Sequence, residues 1–275
     1  MQGVDLRVPA VADRFYPADP AILARDLAMY MSPEATEAEK FQDAIGCIVP
    51  HAGYMYSGHV AGAVYRRLPA RSSYIILGPN HFGRGEPLAI MSHGSWLTPL
   101  GEAPIDERLA RSVRQACHLL EEDARAHAEE HSLEVQLPFL EGSAKPLTFV
   151  PIAVGVWAYA PLESLGHGVA QAVRHAGQSV LIIASSDMNH YEPDGITRVK
   201  DRKAIDKILA LDPHGLYDVV RRERISMCGC GPAIALLTAA KELGAKHAEL
   251  VKYATSADAG GDRDAVVGYA GIVIS

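Results

Sequence analysis

The chain is predicted to fold as an α/β domain, with a central, mostly parallel or mixed sheet flanked by helices on both faces. Short apolar segments that favour strands alternate along the chain with segments of helical periodicity, which is the pattern of such folds. A length of 275 residues suits one large α/β domain, and no repeat or low-complexity linker divides it. We therefore expect residues 1–275 to form a single domain.

The first half of the chain is predicted to contain two buried strands that each lead into a histidine-bearing loop. Residues 44–49 form a short apolar run, and Pro50 should end that strand because it cannot donate a ladder hydrogen bond. The glycines Gly53 and Gly58 suggest a flexible loop after it. Residues 73–77 form the second run, followed by a loop at 78–83. The other elements expected here are helices at 19–30, 59–68 and 106–120, a helical register at 129–138, strands at 88–91 and 147–152, and an exposed polar segment at 32–42.

The second half of the chain is predicted to contain a third buried strand that leads into a polar loop. Residues 179–184 have the most strand-like composition in the sequence, and they lead directly into a polar segment at 185–191. A helix at 233–243 follows two cysteines and ends at Gly244, a typical C-cap. The remaining elements are helices at 162–175, 199–211 and 213–222, a strand at 249–255, a polar loop at 256–264 and a closing strand at 266–274.

Composition excludes several classes of protein. With 26 basic and 33 acidic residues the chain is mildly acidic, which argues against nucleic-acid binding. No apolar run approaches the roughly 20 residues of a membrane helix, and the amino terminus does not resemble a signal peptide. Four cysteines are too few for a disulfide scaffold. We expect a cytoplasmic protein in a reducing compartment, without membrane association.

Polar side chains capable of chemistry follow three of the predicted strands. His51, His81 and the pair Asp187/His190 lie where open α/β sheets place their ligands, and Cys228 precedes a helix whose dipole favours a thiolate. Neutral imidazole and thiolate are ligands for Fe²⁺, Cu and Zn²⁺. The spacing matches none of the short metal motifs, so a shared site requires that these loops converge.

Each candidate also has a purely structural interpretation. Cys228 could be a small buried residue, as Cys47 and Cys117 are expected to be, and Asp187 could cap the segment that follows it. His131 precedes a partly apolar helix and could line a pocket. Seven further histidines are expected on the solvated surface: His93, His118, His127, His167, His175, His214 and His247.

Seven segments together resemble the Memo family, whose bacterial and archaeal members are called AmmeMemoRadiSam system protein B. They occur in family order along nearly the whole chain. The segments are 15–17 (FYP), 50–58 (PHAGYMYSG), 78–81 (GPNH), 130–134 (EHSLE), 185–190 (SSDMNH), 227–232 (MCGCGP) and 266–269 (VVGY). The Memo family is similar in fold to the class III extradiol dioxygenases, the LigB-like non-haem iron enzymes, so the resemblance implies a LigB-like fold.

The resemblance also implies a metal site formed by His51, His81 and Cys228, with the cysteine in place of the dioxygenase glutamate. His190 would match the acid/base histidine, with Asp187 beside it. Two imidazoles and one anionic ligand leave positions open for a substrate, and a thiolate favours Fe²⁺, with Cu or Zn as alternatives. Residues expected to lie near the pocket are Tyr54, Glu130, His131 and Cys230.

Three functions are compatible with these observations. The first is a metal-dependent redox protein, with dioxygenase-like chemistry on a small aromatic substrate. The second is a metal-free hydrolase with Cys228 as nucleophile, His190 as base and Asp187 orienting the base. The third is a non-catalytic metal-binding or interaction protein, for which the resemblance implies AMMECR1-type and radical-SAM partners.

Overall fold

Among residues 6–32, 41–143 and 147–275, which the computed structural model describes, nine strands form the main sheet and three form a smaller one. Most of the segment expected to be polar and exposed at 32–42 lies outside these residues. The strands are β1 (Leu6–Arg7), β2 (Gly46–Val49), β3 (Ser73–Pro79), β4 (Leu88–Ile90), β5 (Ser95–Thr98), β6 (Gly101–Pro104), β7 (Glu121–Glu122), β8 (Phe149–Val154), β9 (Val180–Ser185), β10 (His190–Glu192), β11 (Ala248–Thr255) and β12 (Val266–Ile274).

The helices lie between these strands along the chain. They are α1 (Pro20–Tyr30), α2 (Tyr54–Tyr65), α3 (Glu107–Ala116), α4 (His131–Glu134), α5 (Leu137–Ser143), α6 (Tyr159–Arg174), α7 (Asp194–Leu209), α8 (Pro213–Arg222) and α9 (Cys230–Glu242). Short 3₁₀ turns occur at Ala124–Ala126 and Ser256–Ala259. None of the helices in the described part of the chain is long and apolar enough to span a membrane.

The main sheet is mixed, which confirms the predicted fold class. Its strand order is β10-β12-β2-β9-β3-β8-β4-β7, and β11 pairs with β12. The central strands β2, β9, β3 and β8 are parallel, whereas β12 runs antiparallel to β2 and β4 antiparallel to β8. All residues of these four central strands are buried, as expected for strands covered on both faces.

Helices cover both faces of this sheet. In the pairing of β2 with β12, Gly46 lies opposite Ile274, so Gly46 and Gly271 face opposite sides of the sheet. A Cβ at Gly46 would lie 2.5 Å from the Leu236 side chain of α9, and one at Gly271 would lie 2.6 Å from Val64 of α2. Helices α9 and α2 therefore pack on opposite faces, and both glycines permit their close approach.

Helix α2 begins at Tyr54, five residues before the expected start, and Gly58 lies inside it rather than in a loop. A Cβ at Gly58 would lie 2.8 Å from the Tyr30 ring, and one at Gly62 would lie 2.4 Å from the Tyr30 carbonyl oxygen. These glycines therefore serve the close packing of α1 on α2, not backbone freedom.

Other boundaries also differ from the prediction. The register expected at 129–138 is divided between α4 and α5, and α9 starts at Cys230 instead of 233. The short strands β1, β7 and β10 have too few residues for a recognisable period. The strand order has a direct consequence for function: because β2, β9 and β3 are adjacent and parallel, the loops that follow them meet at one edge of the sheet.

Candidate metal centre

Three residues from separate loops meet at this edge of the sheet. His51 follows β2, His81 follows β3 and Cys228 precedes α9, yet their ligand atoms all lie within 4.8 Å of one another. His51 is buried, Cys228 is partly buried and His81 is exposed, so the group opens to solvent on the His81 side. The tertiary structure thus brings together the three residues that the family resemblance implies as ligands.

The geometry and chemistry of this group fit a transition-metal ion. Two ligands bound at a right angle, at about 2.1 Å for nitrogen and about 2.3 Å for sulfur, lie about 3.1 Å apart. The Sγ of Cys228 lies 3.1 Å from Nε2 of His51. Two imidazoles and one sulfur also form a soft ligand set that suits Fe, Cu or Zn better than Mg²⁺ or Ca²⁺.

Hydrogen bonds determine which nitrogen of His51 faces this group. The hydroxyl of Ser185 donates to the Ser132 carbonyl at 2.6 Å, and its Oγ lies 2.9 Å from Nδ1 of His51. Since the hydroxyl hydrogen is already used, Oγ accepts from Nδ1–H, and Nε2 keeps its lone pair for a metal. Burial, followed by the nearby His81, lowers the pKa of His51 and keeps the ring neutral.

Glu130 orients His81 in a corresponding way. One carboxylate oxygen lies 2.9 Å from Nδ1 of His81, and the other accepts from the His81 backbone N–H at 2.7 Å. Burial alone would raise the pKa of Glu130, but the hydrogen bond and charge of His81 lower it to about 2. An ionised carboxylate therefore binds Nδ1–H, the outer-shell arrangement common around metal-bound histidines. Nε2 is the nitrogen left for a metal, which would displace any proton that it carries.

The protonation state of Cys228 differs from the one predicted from the helix dipole. Burial raises the pKa of Cys228 well above its usual value, and the Asp187 carboxylate raises it further. Without a cation the residue is therefore a neutral thiol, and the expectation of a thiolate is wrong for that state. Binding of a metal would displace the proton, because the metal ligand is the thiolate.

Asp187 connects two of the loops. Its Oδ1 accepts from the backbone N–H groups of His51 at 2.8 Å and Ala52 at 3.3 Å, and its Oδ2 lies 4.0 Å from Nε2 of His51. The backbone N–H of Asp187 donates to the Cys228 sulfur at 3.3 Å. Asp187 therefore stabilises the loop of His51 rather than capping its own segment.

His190 lies in the same cleft but bonds to a different partner. Its backbone N–H donates to Ser226 Oγ at 2.8 Å, and its Nδ1 lies 2.9 Å from the Ser226 carbonyl oxygen. Nδ1 is therefore the donor, and Nε2 is the nitrogen left for a ligand in the cleft. The hydrogen bonds of Cys228, His190 and Asp187 do not form the relay that a cysteine nucleophile would require.

A second group of possible ligands overlaps the first. Atoms of His81, Glu130 and His131 also lie within 4.8 Å of one another. Both oxygens of Glu130 are already occupied by hydrogen bonds from His81 and Ser132, and the rings of His81 and His131 stack at 4.6 Å. Burial, then the nearby His51, lowers the pKa of His131 to about 4, so it lines the site as a neutral ring. The group that contains Cys228 is better suited to an ion.

The ligand group lies in a cleft of about 840 Å³, within the size range of small-molecule sites. His131 and His190 line this cleft together with the three possible ligands. Aromatic side chains form much of its wall, and several residues come from the loop after β11. Further lining residues are Phe15, Tyr56, Tyr191, Tyr269, Ser226, Ser256 and Asp262.

Some predicted residues do not line the cleft. Tyr54 is buried and donates to the Val135 carbonyl at 2.6 Å, whereas its neighbour Tyr56 lines the cleft. Cys230 lies in the hydrophobic core, and burial raises its pKa to about 12. The expectation that His127 is solvated is wrong, since the residue is completely buried against Trp96.

Sequence reasoning did not identify Ser185 as a residue that orients a ligand. The serine is the last residue of β9, and its position at a strand end beside a cluster of polar residues was the available signal. Its partner Gln136, which donates to Ser185 Oγ at 2.8 Å, lies in the turn between α4 and α5 and carried no signal.

The chain is similar to known proteins along nearly its whole length. A family model described as "Memo-like protein" matches residues 7–273. A "MEMO1 family protein" of Methanopyrus kandleri is 40% identical over 279 residues, covering 97% of this chain and 98% of that protein. One from Pyrobaculum arsenaticum is 43% identical over 276 residues, with 98% of each chain covered.

A solved structure supports the fold. The crystal structure of an uncharacterized protein from Escherichia coli K12 aligns with a TM-score of 0.56 at 12% identity, covering 83% of this chain and 98% of that one. At this level of identity, the similarity concerns the fold.

Proposed function

This chain belongs to the Memo family, and from that premise we propose that it binds an Fe²⁺ ion in its cleft and acts in the oxidation of a small aromatic compound. The observation that supports the proposal is the convergence of His51, His81 and Cys228 from three loops, with ligand atoms within 4.8 Å. Both imidazoles present Nε2 because Ser185 and Glu130 bind their Nδ1 atoms.

The ligand set favours Fe²⁺ in this proposal, with Cu or Zn as the alternatives to be tested. Three protein ligands leave positions open on an ion, unlike the closed four-ligand sites of structural zinc. A bound Fe²⁺ would supply open coordination positions and access to a second oxidation state.

The remaining roles belong to side chains of the cleft. His190 would give or take a proton at Nε2, since its Nδ1 is held by the Ser226 carbonyl. Asp187 would keep the His51 loop in place through the two backbone N–H groups that it binds. The neutral rings of His131 and Phe15, with centroids 4.7 Å apart, would wall the space beside the ligands.

The hydrolase hypothesis is less well supported. A cysteine nucleophile requires a thiolate, but burial raises the pKa of Cys228 well above its usual value. The imidazole nearest to its sulfur is that of His51, at 3.1 Å, rather than His190. Association with AMMECR1-type and radical-SAM proteins remains a prediction from the family resemblance.

Elemental analysis of anaerobically purified protein tests the proposal. We expect about one Fe per chain in the wild type, and its loss in Cys228→Ala. Cys230→Ala is the matched control, because it also removes a thiol but one that lies in the core. Equal metal content in the two variants, or no metal in the wild type after growth with added iron, would contradict the proposal.

A further inference from the structure

The mouth of the metal cleft is poor in positive charge. Among the described residues that line the cleft, none is lysine or arginine. Two carboxylates are present: Asp187 is buried at the floor, and Asp262 is exposed at the mouth. Arg263 follows Asp262 in the chain, but its guanidinium lies 3.7 Å from Asp194, on the side of α7. Asp262 Oδ1 accepts from the Asp264 backbone N–H at 2.9 Å, so Oδ2 is the oxygen left for a ligand, and no lysine or arginine lies beside it in the described lining.

Tyr191 has an unusual conformation at the same mouth. Its φ is +59°, in the left-handed region that non-glycine residues seldom adopt. The residue lies between His190 and Glu192, where the pairing of β10 with β12 is interrupted by a shift in register. Bulges of this kind redirect a side chain and are common beside active sites. Although it is large and aromatic, the Tyr191 side chain is 78% exposed.

The strain at Tyr191 does not serve to bury its ring, which is mostly exposed and contacts the His190 ring at a centroid distance of 5.6 Å. Hydrogen bonds of its neighbours hold it in place: the His190 backbone N–H binds Ser226, and the Glu192 carboxylate accepts from Asn189 Nδ2 at 2.7 Å. Strain that the surrounding structure maintains at a cleft suggests a role in function. Tyr191 and Tyr56 also lie near enough to Tyr269 that both contribute to its raised pKa, after the effects of burial and of Asp187. All three tyrosines line the cleft, but only Tyr191 and Tyr56 are exposed, whereas Tyr269 is buried.

From these features we propose that the cleft selects a planar aromatic ligand whose side chain is a cation or neutral, not an anion. The ring would pack against Tyr191 and Tyr56, and a cationic group would lie beside the Asp262 carboxylate. Tyrosine faces attract both aromatic rings and organic cations. A carboxylate or phosphate at this position would meet Asp262 and find no lysine or arginine among the described residues of the lining.

This inference rests on the proposed function, because it specifies the substrate of the same cleft. Its test can nevertheless be separated from the test for iron. Three ligands of similar shape differ in charge: 2-phenylethylamine is a cation, 2-phenylethanol is neutral and 3-phenylpropanoate is an anion. Their affinities are measured by ligand-detected NMR titration on the full chain, both as purified and after treatment with a chelator.

We expect the order cation, neutral, anion in the chelator-treated protein, where no metal ion can bind the carboxylate, with the amine bound about tenfold more tightly than the carboxylate. Asp262→Asn should weaken amine binding about threefold and leave the alcohol unchanged, because the ion pair is exposed. Asp264→Asn is the control, as Asp264 is a neighbouring exposed carboxylate outside the lining.

Two variants at position 191 test the role of the ring. Tyr191→Phe keeps the aromatic face and should bind all three ligands as the wild type does. Tyr191→Gly suits a φ of +59° and should retain the fold, but should weaken all three about fivefold.

Three results in the chelator-treated protein would overturn the inference: carboxylate affinity equal to or above that of the amine, amine binding that Asp262→Asn does not weaken, or no detectable binding of any ligand at 10 mM, a concentration on the order expected for fragments. The expected order in a protein that purifies without iron would contradict only the proposed function. A reversed order in the chelator-treated form of a protein that purifies with iron would contradict only the inference about charge.

Discussion

Replacement of Glu130 by glutamine should weaken metal binding without unfolding the protein. The Glu130 side chain is completely buried and accepts three hydrogen bonds, from Nδ1 and the backbone N–H of His81 and from the backbone N–H of Ser132. Glutamine has the same shape, but one of its two acceptor atoms becomes an NH₂ group. That group would face an N–H donor whichever way the amide is turned.

The size of the effect follows from these contacts. A hydrogen bond to a buried charged group contributes about 1.5–3 kcal/mol, and an unsatisfied buried donor costs about 1–3 kcal/mol. We therefore expect the free energy of unfolding to fall by about 2–3 kcal/mol. Loss of the partner that orients a metal-binding histidine reduces metal affinity about 10- to 100-fold.

Two measurements check this prediction. Fe²⁺ affinity is determined anaerobically by competition with a chelator, and stability is determined by urea unfolding of the metal-free protein. Glu129→Gln is the matched control: this neighbouring glutamate has an exposed side chain that pairs with Arg84, so both quantities should stay near their wild-type values. If Glu130→Gln binds iron as tightly as Glu129→Gln does, the role assigned to Glu130 is refuted.

Two further predictions concern stability. Arg7→Met removes the partner of the buried Glu134, whose carboxylate lies 2.7 Å from the guanidinium, and should cost about 3–5 kcal/mol in urea unfolding. The exposed Arg25→Met should change stability by less than about 1 kcal/mol, and an equal effect of both would contradict this account. Burial raises the pKa of Asp201 to about 7, so the folded protein retains a proton that the unfolded chain releases near pH 4. This group should lower stability as the pH rises from about 4 to about 7, by on the order of 4 kcal/mol. Asp201→Asn should remove that slope and the exposed Asp206→Asn should not, and a slope that persists in Asp201→Asn would disprove the assignment.

Much of the architecture could be predicted from local patterns. Apolar runs identified the buried strands β2, β3, β8 and β9, because strands covered on both faces exclude polar residues along their whole length. Pro50 ended β2 as expected, and α8 and β12 have the predicted bounds. Gly58 was less informative, since it was expected in a flexible loop but lies inside α2, where it permits close packing on Tyr30.

The residue types of the candidate metal centre could also be inferred from the sequence, because imidazole, thiol and carboxylate chemistry is intrinsic to each side chain. What the sequence by itself determined was therefore a set of candidate ligands and the strand ends that carry them. Their spacing along the chain did not show that they meet.

Only the tertiary structure decided how these residues act together. The insertion of β9 between β2 and β3 places Ser185 against His51, and this strand order cannot be inferred from local periodicity. Burial of Cys228 beside Asp187 raises the thiol pKa, although the position before a helix suggests the opposite. Hydrogen-bond direction and desolvation depend on atoms that lie far apart along the chain, so they are properties of the packed molecule and not of any single segment.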